Sequence, residues 1–367
     1  MPSSIAIVGA GCSGLAAAHV LLDAGYSVTL FEKSSVVGGR AATRTRNGFI
    51  YDYGANYIKP GAPASVELIM KRFYTPALID IKKPVWTFDG SEHVQEGDPS
   101  QNAEAKWSYR RGLNTLPLHM AEGLNIRRET CIVRIERQAN KWILYRSDAE
   151  QTPGMFDRLL ISIPASQAIE LIQASQLSQG LSASICSHLE EARYNALISV
   201  LFGYKPRPRV RPYYALINTD RLHAISWLSW EHEKNPERAP ADAGLLMAQM
   251  GPQYSQEHWQ TADEDIYRDV APRIASLIDE ALPEPYFTDI QRWRYALPTQ
   301  KANADALNSI TLPQGLAFCG DGFVGGRVHL ALEHGIHVAS QLINSQGEPG
   351  RSQGHAPSPE TRGADEG

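Results

Sequence analysis

Cysteine is sparse in this 367-residue chain, and the four that occur (Cys12, Cys131, Cys186 and Cys319) follow no metal-ligand spacing. They read as free thiols of a reducing compartment, with a disulfide pair as the alternative. Charge of one sign is also scarce: 20% of residues are charged and the net charge is −5, which offers neither nucleic acid nor an anionic membrane an electrostatic reason to bind. No apolar run approaches the ~20 residues of a membrane span. The first apolar run starts at Ile5, leaving no room for a signal peptide, so the expectation is a soluble cytoplasmic enzyme. The length allows two domains, and 43% hydrophobic residues supply a large core.

What is present begins at once. Residues 5–40 read IAIVGAGCSGLAAAHVLLDAGYSVTLFEKSSVVGGR. An apolar run meets Gly9, Gly11 and Gly14, an alanine-rich stretch of helical spacing follows, and a second apolar run ends at Glu32. This is the order of a dinucleotide-binding strand–turn–helix–strand unit. Gly9 permits the tight turn, Gly11 lets backbone approach a pyrophosphate, and Gly14 lets helix lie close to strand. The free N–H groups at the helix start, around Cys12 and Ser13, make an anion site. Glu32 stands at the distance of about 20 residues expected of a ribose-binding acid. After Lys33 a second glycine pair, Gly38-Gly39, precedes Arg40, whose planar guanidinium suits phosphate oxygens. In Tyr51-Asp52-Tyr53-Gly54-Ala55-Asn56-Tyr57-Ile58 the small pair Gly54-Ala55 would let backbone come near a flat ring system.

Together, GxGxxG, the acid, GGR and D-x-G-A-x-x-I resemble flavoproteins of the amine oxidase superfamily, which includes monoamine and polyamine oxidases, protoporphyrinogen oxidase, carotenoid desaturases and renalases. The resemblance implies an α/β fold: a Rossmann-type FAD-binding domain with an interleaved α+β substrate domain built on an antiparallel sheet. It implies FAD as cofactor, held by Gly9, Gly11, Cys12, Ser13, Gly14, Glu32, Lys33, Gly39, Arg40, Gly54, Ala55, Asn56, the backbone of Val133, Gly320, Asp321, Arg327 and Val328. The segment Leu316-Ala317-Phe318-Cys319-Gly320-Asp321, a strand followed by Gly-Asp, a loop and a glycine-led helix beginning around Val328, is the superfamily's second mark. That helix would point its N-terminus at the flavin's pyrimidine edge, where the reduced ring carries negative charge. No Ser-Gly-Gly-Cys-Tyr motif occurs, so the FAD is expected to be noncovalent.

The implied domains are discontinuous: 1–59, 107–195 and 296–344 around FAD, 60–106 and 196–295 around the substrate, and a disordered tail over 345–367. Strands are expected at Leu197–Tyr204, Tyr213–Ile217, His223–Trp230 and Leu245–Met250, and a long helix over Thr261–Ala281. Trp227 and Trp230 differ by three, so in a strand they face opposite sides and at most one lines a cavity. The residues expected near the ring are Tyr57, Trp230, Trp293, Tyr295 and His329. His329, Glu333, His334 and His337 share one helix but lack the spacing of a zinc helix, so no metal is expected. Lys301 could hold a water at the flavin, as in amine-oxidising members, but reads better as a solvated lysine. The compact length, the Tyr51–Ile58 stretch, the Trp107–Leu116 segment, the Trp293-Arg294-Tyr295…Pro298 element and the Gly320-Asp321-Gly322…Gly326-Arg327-Val328 run look most like renalase and its bacterial counterparts. These imply hydride transfer from a dihydronicotinamide isomer to flavin N5, with O2 as acceptor. An amine or polyamine oxidase, a polyene desaturase or isomerase, and a non-catalytic flavin-binding protein are the alternatives.

Overall fold

The computed structural model describes residues 2–148, 152 and 154–345; apart from Ser345, the expected disordered tail lies outside the described residues. Two sheets organise the rest. The first has five parallel strands in the order Leu316–Phe318, Arg158–Ile161, Ser4–Val8, Ser27–Phe31 and Ile126–Arg127. Its central strand is apolar on both faces, as a sheet covered on both sides requires. Ile5 and Ile7 pack under the helices Cys12–Asp23 and Val328–Asn344. Ala6 and Val8 pack into the opposite core with the helices Ala165–Gln173 and Gln179–Leu189.

The second sheet has seven strands in the order Phe287–Gln300, Arg193–Tyr204, Gly244–Met250, Ile225–Trp230, Ala215–Asn218, Val85–Phe88 and Val94–Gln95. It is antiparallel except at one junction, where Ala215–Asn218 and Val85–Phe88 run parallel. The expected antiparallel sheet is therefore mixed, because a strand from the early insertion adds to its far side. One face is sealed by the helix Asp263–Leu277, which buries Ile266, Val270, Ile274 and Leu277, one stripe of the 3.6-residue period. Pro272 sits inside that helix on an exposed position and does not end it. The strand Phe287–Gln300 runs unbroken through the expected domain boundary at 296.

Two tight approaches hold the nucleotide-binding layer together. A Cβ on Gly14 would stand 2.2 Å from the Gly9 carbonyl oxygen, so the first helix touches its own entry turn. A Cβ on Gly335 would stand 2.1 Å from the Ser13 carbonyl oxygen, so the last helix lies directly on the first. The Ser13 hydroxyl donates to the Ala331 carbonyl at 2.6 Å across the same seam.

Candidate active site

A cavity of about 1820 Å³ runs from the glycine turn to the inner face of the mixed sheet. Small-molecule pockets are typically ~300–1,000 Å³, so this one has room for a large cofactor and a substrate together.

The nucleotide end is built on the parallel sheet. The Gly38 N–H donates to the Ala10 carbonyl at 2.8 Å, and Gly11 bridges Gly38, so the two glycine loops are packed as one wall. The Glu32 carboxylate accepts from the N–H groups of Ala10 and Ser34, both at 2.9 Å. Each oxygen keeps a lone pair for a further donor such as a ribose hydroxyl. Val133 is the extra residue in a bulge between Ile132 and Arg134, which leaves its backbone out of the strand ladder. Val36, Leu118 and Val133 line this end and are exposed large apolar side chains, 60%, 41% and 39% accessible, of the kind a bound ring would cover. Burial pushes the Cys12 thiol up to about 12, so it packs as a thiol.

The opposite wall comes from the other end of the chain. Gly320, at φ 138°, turns the backbone so that Asp321 faces Arg40. The His334 imidazole accepts the Gly320 N–H at 3.1 Å and braces that turn. Arg40 donates to both Asp321 oxygens and to the carbonyls of Tyr295 and Ala296. The guanidinium expected at a pyrophosphate is thus tied to the other half of the site. Val328 and His329, the first residues of the last helix, line the cavity, and Arg327 lines it while exposed. His329 Nδ1 is buried without a hydrogen-bond partner among the described residues, and burial pulls its imidazole below the ordinary value, so the ring is neutral at pH 7.

The substrate end is a row across the mixed sheet. Ile217 pairs with Trp227, Trp227 with Gln249, Gln249 with Ser199, and in the next register Leu197 with Trp293. Strand alternation sends Ile217, Trp227, Gln249, Leu197 and Trp293 to the cavity side. Tyr57 and Tyr295 also line the cavity, with Tyr57 6.3 Å from Trp227 between ring centroids. Gln249 donates to the Gly54 carbonyl at 2.8 Å and accepts from Asn56 at 3.0 Å, which ties loop 54–57 to the sheet. Trp293 donates to the Tyr53 carbonyl at 2.8 Å and stacks on its ring at 5.5 Å between centroids, while the Arg44 guanidinium lies over the Tyr53 ring at 4.3 Å. Trp230 is the correction. It is fully buried on the other face, 5.4 Å from Tyr213, and does not line the cavity; Trp227 does. Lys301 is exposed and lies outside the lining.

The other cofactor residues named from sequence (Gly9, Gly11, Cys12, Ser13, Lys33, Gly39, Gly54, Ala55 and Asn56) all line the cavity, whereas Gly14 sits behind it in the helix–turn contact. The residues of the His-rich helix diverge: Glu333 accepts from the Ala62 N–H and Ser65 hydroxyl, His334 turns to Gly320, and among the described residues no metal-ligand cluster forms.

Sequence reading missed a buried charge cluster behind the site. Asp52, Glu231, Lys234 and Arg238 have fully buried side chains and bond one another at 2.7–3.4 Å. Arg238 also donates to Ser108 and the Tyr109 carbonyl, and Asp52 accepts from Thr43 and the Leu113 N–H. Burial would raise the Asp52 carboxyl, but Arg238 and Lys234 outweigh it and hold it below the usual range. Asp52, in the same segment as the Gly54-Ala55 pair, was the visible end; its partners lie some 180 residues away and carry no local signal.

Known proteins agree with this geometry. A model of the NAD(P)-binding Rossmann-like domain matches residues 7–73. A protoporphyrinogen oxidase of Arabidopsis thaliana is 48% identical over 59 residues, 16% of this chain and only 12% of that protein's length. Two solved structures share the fold: a candidate protoporphyrinogen oxidase of Exiguobacterium sp. 255-15 (TM-score 0.76, 15% identity, 95% of this chain and all of that one), and cyclohexylamine oxidase of Brevibacterium oxydans (TM-score 0.73, 14% identity, 95% and all). The model of the flavin containing amine oxidoreductases matches residues 83–343, and with it the chain belongs to that family, as an FAD-binding, flavin-dependent oxidoreductase.

Proposed function

We propose that this oxidoreductase takes a hydride from a small, flat, electron-rich ring, a dihydronicotinamide isomer as in renalases, with O2 receiving the electrons. The observation that carries the reading is the chemistry of the substrate wall: Tyr57, Trp227, Trp293 and Tyr295 supply rings, Asn56, Ser226 and Gln249 neutral polar groups, and among the described residues no carboxylate belongs to it. The carboxylates that line the cavity among the described residues are Glu32, Glu170 and Asp321; Glu32 is engaged by backbone N–H groups and Asp321 by Arg40. A cationic amine would find no counter-charge there, whereas a neutral dihydropyridine would stack.

Bound FAD supplies the hydride acceptor. The chain does the rest. The aromatic rings stack the substrate and exclude water, and the Asn56–Gln249 amide pair offers directional polar contacts. Neutral His329 adds a ring nitrogen without a competing cation. No general base is required, because a dihydropyridine releases hydride without prior loss of a proton.

An anaerobic screen of the FAD-loaded protein tests this. Dihydronicotinamide isomers are expected to bleach the flavin band at about 450 nm, and primary amines and polyamines to leave it. Bleaching by an amine alone would overturn the reading in favour of an amine oxidase. A yellow protein that no substrate bleaches would overturn it in favour of a non-catalytic flavin carrier.

A further inference from the structure

The strand Gly244–Met250 reads GLLMAQM and is buried throughout, with Gln249 as its one polar side chain. Glutamine is mostly exposed in folded chains, and a buried amide is costly unless its hydrogen bonds are made. Here both ends of the amide are bonded. Nε2 donates to the Gly54 carbonyl at 2.8 Å, and Oε1 accepts from Asn56 Nδ2 at 3.0 Å. The orientation follows from chemistry: a carbonyl only accepts, so Nε2 must face Gly54, which leaves Oε1 to Asn56.

The segment these bonds reach joins the two ends of the cavity. On the nucleotide side, the Tyr53 N–H donates to the Ala42 carbonyl at 3.2 Å and the Ala55 N–H to the Arg40 carbonyl at 2.9 Å. A Cβ on Gly54 would stand 2.1 Å from that Arg40 oxygen, so the contact has no slack. On the substrate side, the mixed sheet holds two consecutive carbonyls. That of Tyr53 is held twice, by Ser199 Oγ at 3.0 Å and by Trp293 Nε1 at 2.8 Å. That of Gly54 is held, among the described residues, by Gln249 alone. Gln249 stands two strands from Trp293, about 10 Å at ordinary strand spacing, so its bond resists rotation of the segment about the Tyr53 anchor.

We infer that Gln249 is a positioning residue: it fixes the substrate wall against the nucleotide wall, and with it the approach of a substrate ring to the hydride acceptor. Rate depends steeply on that approach, since reacting atoms must come about 3–3.5 Å apart and a misplacement of about 1 Å can cost about 100-fold. Affinity depends on it far less, because the rings that stack the substrate stay in place. Ser199 carries no such role, since Trp293 keeps the Tyr53 carbonyl bonded without it. The kinetic arm of the test rests on the hydride-transfer reading above; the spectroscopic arm does not.

Gln249→Met, Gln249→Glu and Ser199→Ala are compared with the native chain, all FAD-loaded and anaerobic. The methionine variant keeps the side chain's length and loses both bonds. The glutamate variant keeps an acceptor for Asn56 but sets a second acceptor against the Gly54 carbonyl; being isosteric, it carries the test should the methionine variant not fold. In both, the limiting rate of flavin bleaching by a dihydronicotinamide isomer is expected to fall about 10- to 100-fold. The half-saturating concentration and the FAD affinity should stay within ~3-fold of native, and Ser199→Ala within ~3-fold in all three quantities. The visible circular dichroism of the bound flavin, which needs no turnover, should change in the two Gln249 variants and not in Ser199→Ala. An unchanged limiting rate in the Gln249 variants overturns the inference. So does a raised half-saturating concentration at native rate, which would make Gln249 a substrate contact, or a loss of FAD affinity, which would make it part of the cofactor site. Should no dihydronicotinamide bleach the native flavin, the substrate reading fails by itself and the dichroism decides. A spectrum altered in the Gln249 variants alone upholds the positioning role, and one that stays native in them, or changes equally in Ser199→Ala, removes it.

Discussion

The Arg40 guanidinium and the Asp321 carboxylate, 281 residues apart, form a two-pronged ion pair at 2.6 and 2.7 Å. It closes the nucleotide cavity by joining the second glycine loop to the turn before the last helix. Both side chains are largely shielded from solvent, so the pair resists screening better than a surface bridge does. Asp321→Ala is expected to free Arg40 and loosen both walls. FAD affinity, followed by flavin fluorescence, should weaken about 10- to 100-fold, the worth of one or two charge-assisted bonds of about 1.5–3 kcal/mol. Unchanged FAD affinity would show that the walls are held without the pair.

Gly335 sets how closely the last helix lies on the first. In Gly335→Ala the new methyl would meet the Ser13 carbonyl oxygen and α-carbon, which are backbone atoms and cannot swing aside. Overpacking of this kind costs about 1–3 kcal/mol, and FAD binding should fall with it because both helix N-termini face the cavity. Gly180→Ala is the control: its Cβ meets nothing within 4 Å, and it lies in the helix Gln179–Leu189. There alanine should stabilise by up to ~1 kcal/mol. Thermal melts of the two variants should move in opposite directions.

What the sequence displays is the part of the fold written in local periodicity. The run Ile5–Val8, the three glycines and Glu32 sit within one turn-strand unit, so their geometry follows from neighbours in the chain. The helix Asp263–Leu277 announces itself by Ile266, Val270, Ile274 and Leu277. The choice between Trp227 and Trp230 was not legible, because alternation says that they face opposite ways but not which face meets the cavity. That depends on the register with Gln249 and Ile217, which is set by pairing across strands. The segment after loop 54–57 includes α-helical Pro63–Glu67 followed by a π-turn over Leu68–Arg72, a change in hydrogen-bond offset with no residue signature. The Asp52–Arg238 cluster was invisible for the same reason as Arg40–Asp321: charge partners far apart in sequence leave no pattern.

That cluster predicts an asymmetric response to mutation. Arg238→Met removes a cation bonded to both Asp52 and Glu231 and leaves Lys234 alone against two buried carboxylates. Breaking a buried pair from one side costs about 3–5 kcal/mol, which urea unfolding should report. Asp52→Asn keeps an acceptor for Thr43 and the Leu113 N–H but upsets the balance the other way, so it should also destabilise. Combining the two should cost less than the sum, since each removes a charge that the other strands. Additive losses would mean that the four groups do not act as a unit.

The two tryptophans separate binding from stability. Trp230→Ala empties a fully buried site and should cost about 3–5 kcal/mol in unfolding while leaving the cavity wall in place. Trp227→Ala removes a cavity-lining ring that contacts the rings of Tyr57 and Tyr214. FAD content should stay near native, while the substrate concentration that half-saturates flavin reduction rises roughly 10-fold or more, since a stacked ring pair contributes ~0.5–1.5 kcal/mol beyond its buried area. Equal effects of the two variants on substrate binding would refute the register argument.

Acid sensitivity should come from two histidines before it comes from carboxylates. Burial pulls His334 and His232 from 6.5 down to about 4 in the folded chain. Each serves as a neutral acceptor, His334 for the Gly320 N–H at 3.1 Å and His232 for the Leu245 N–H at 3.1 Å. Between pH 6.5 and 4 the unfolded chain binds these protons and the folded chain does not, so stability rises with pH across that window and is lost as pH falls through it. Each full shift corresponds to roughly 3 kcal/mol, and below about pH 4 the two groups add no further slope. Asp157 behaves in the opposite region: against its burial, Lys141 and Ser4 hold it down to about 2, so its contribution is present above pH 3.8 and disappears only below that. Unfolding at pH 7 and pH 5 should therefore differ by a few kcal/mol in the native chain. In His334→Gln/His232→Gln, where the amide oxygens can still accept but cannot titrate, the pH 7 value should drop and the difference between the two pH values should largely vanish. A difference that persists undiminished in the double variant would move the acid sensitivity to other groups and leave the Gly320–Asp321 turn, and with it the cofactor wall, indifferent to mild acid.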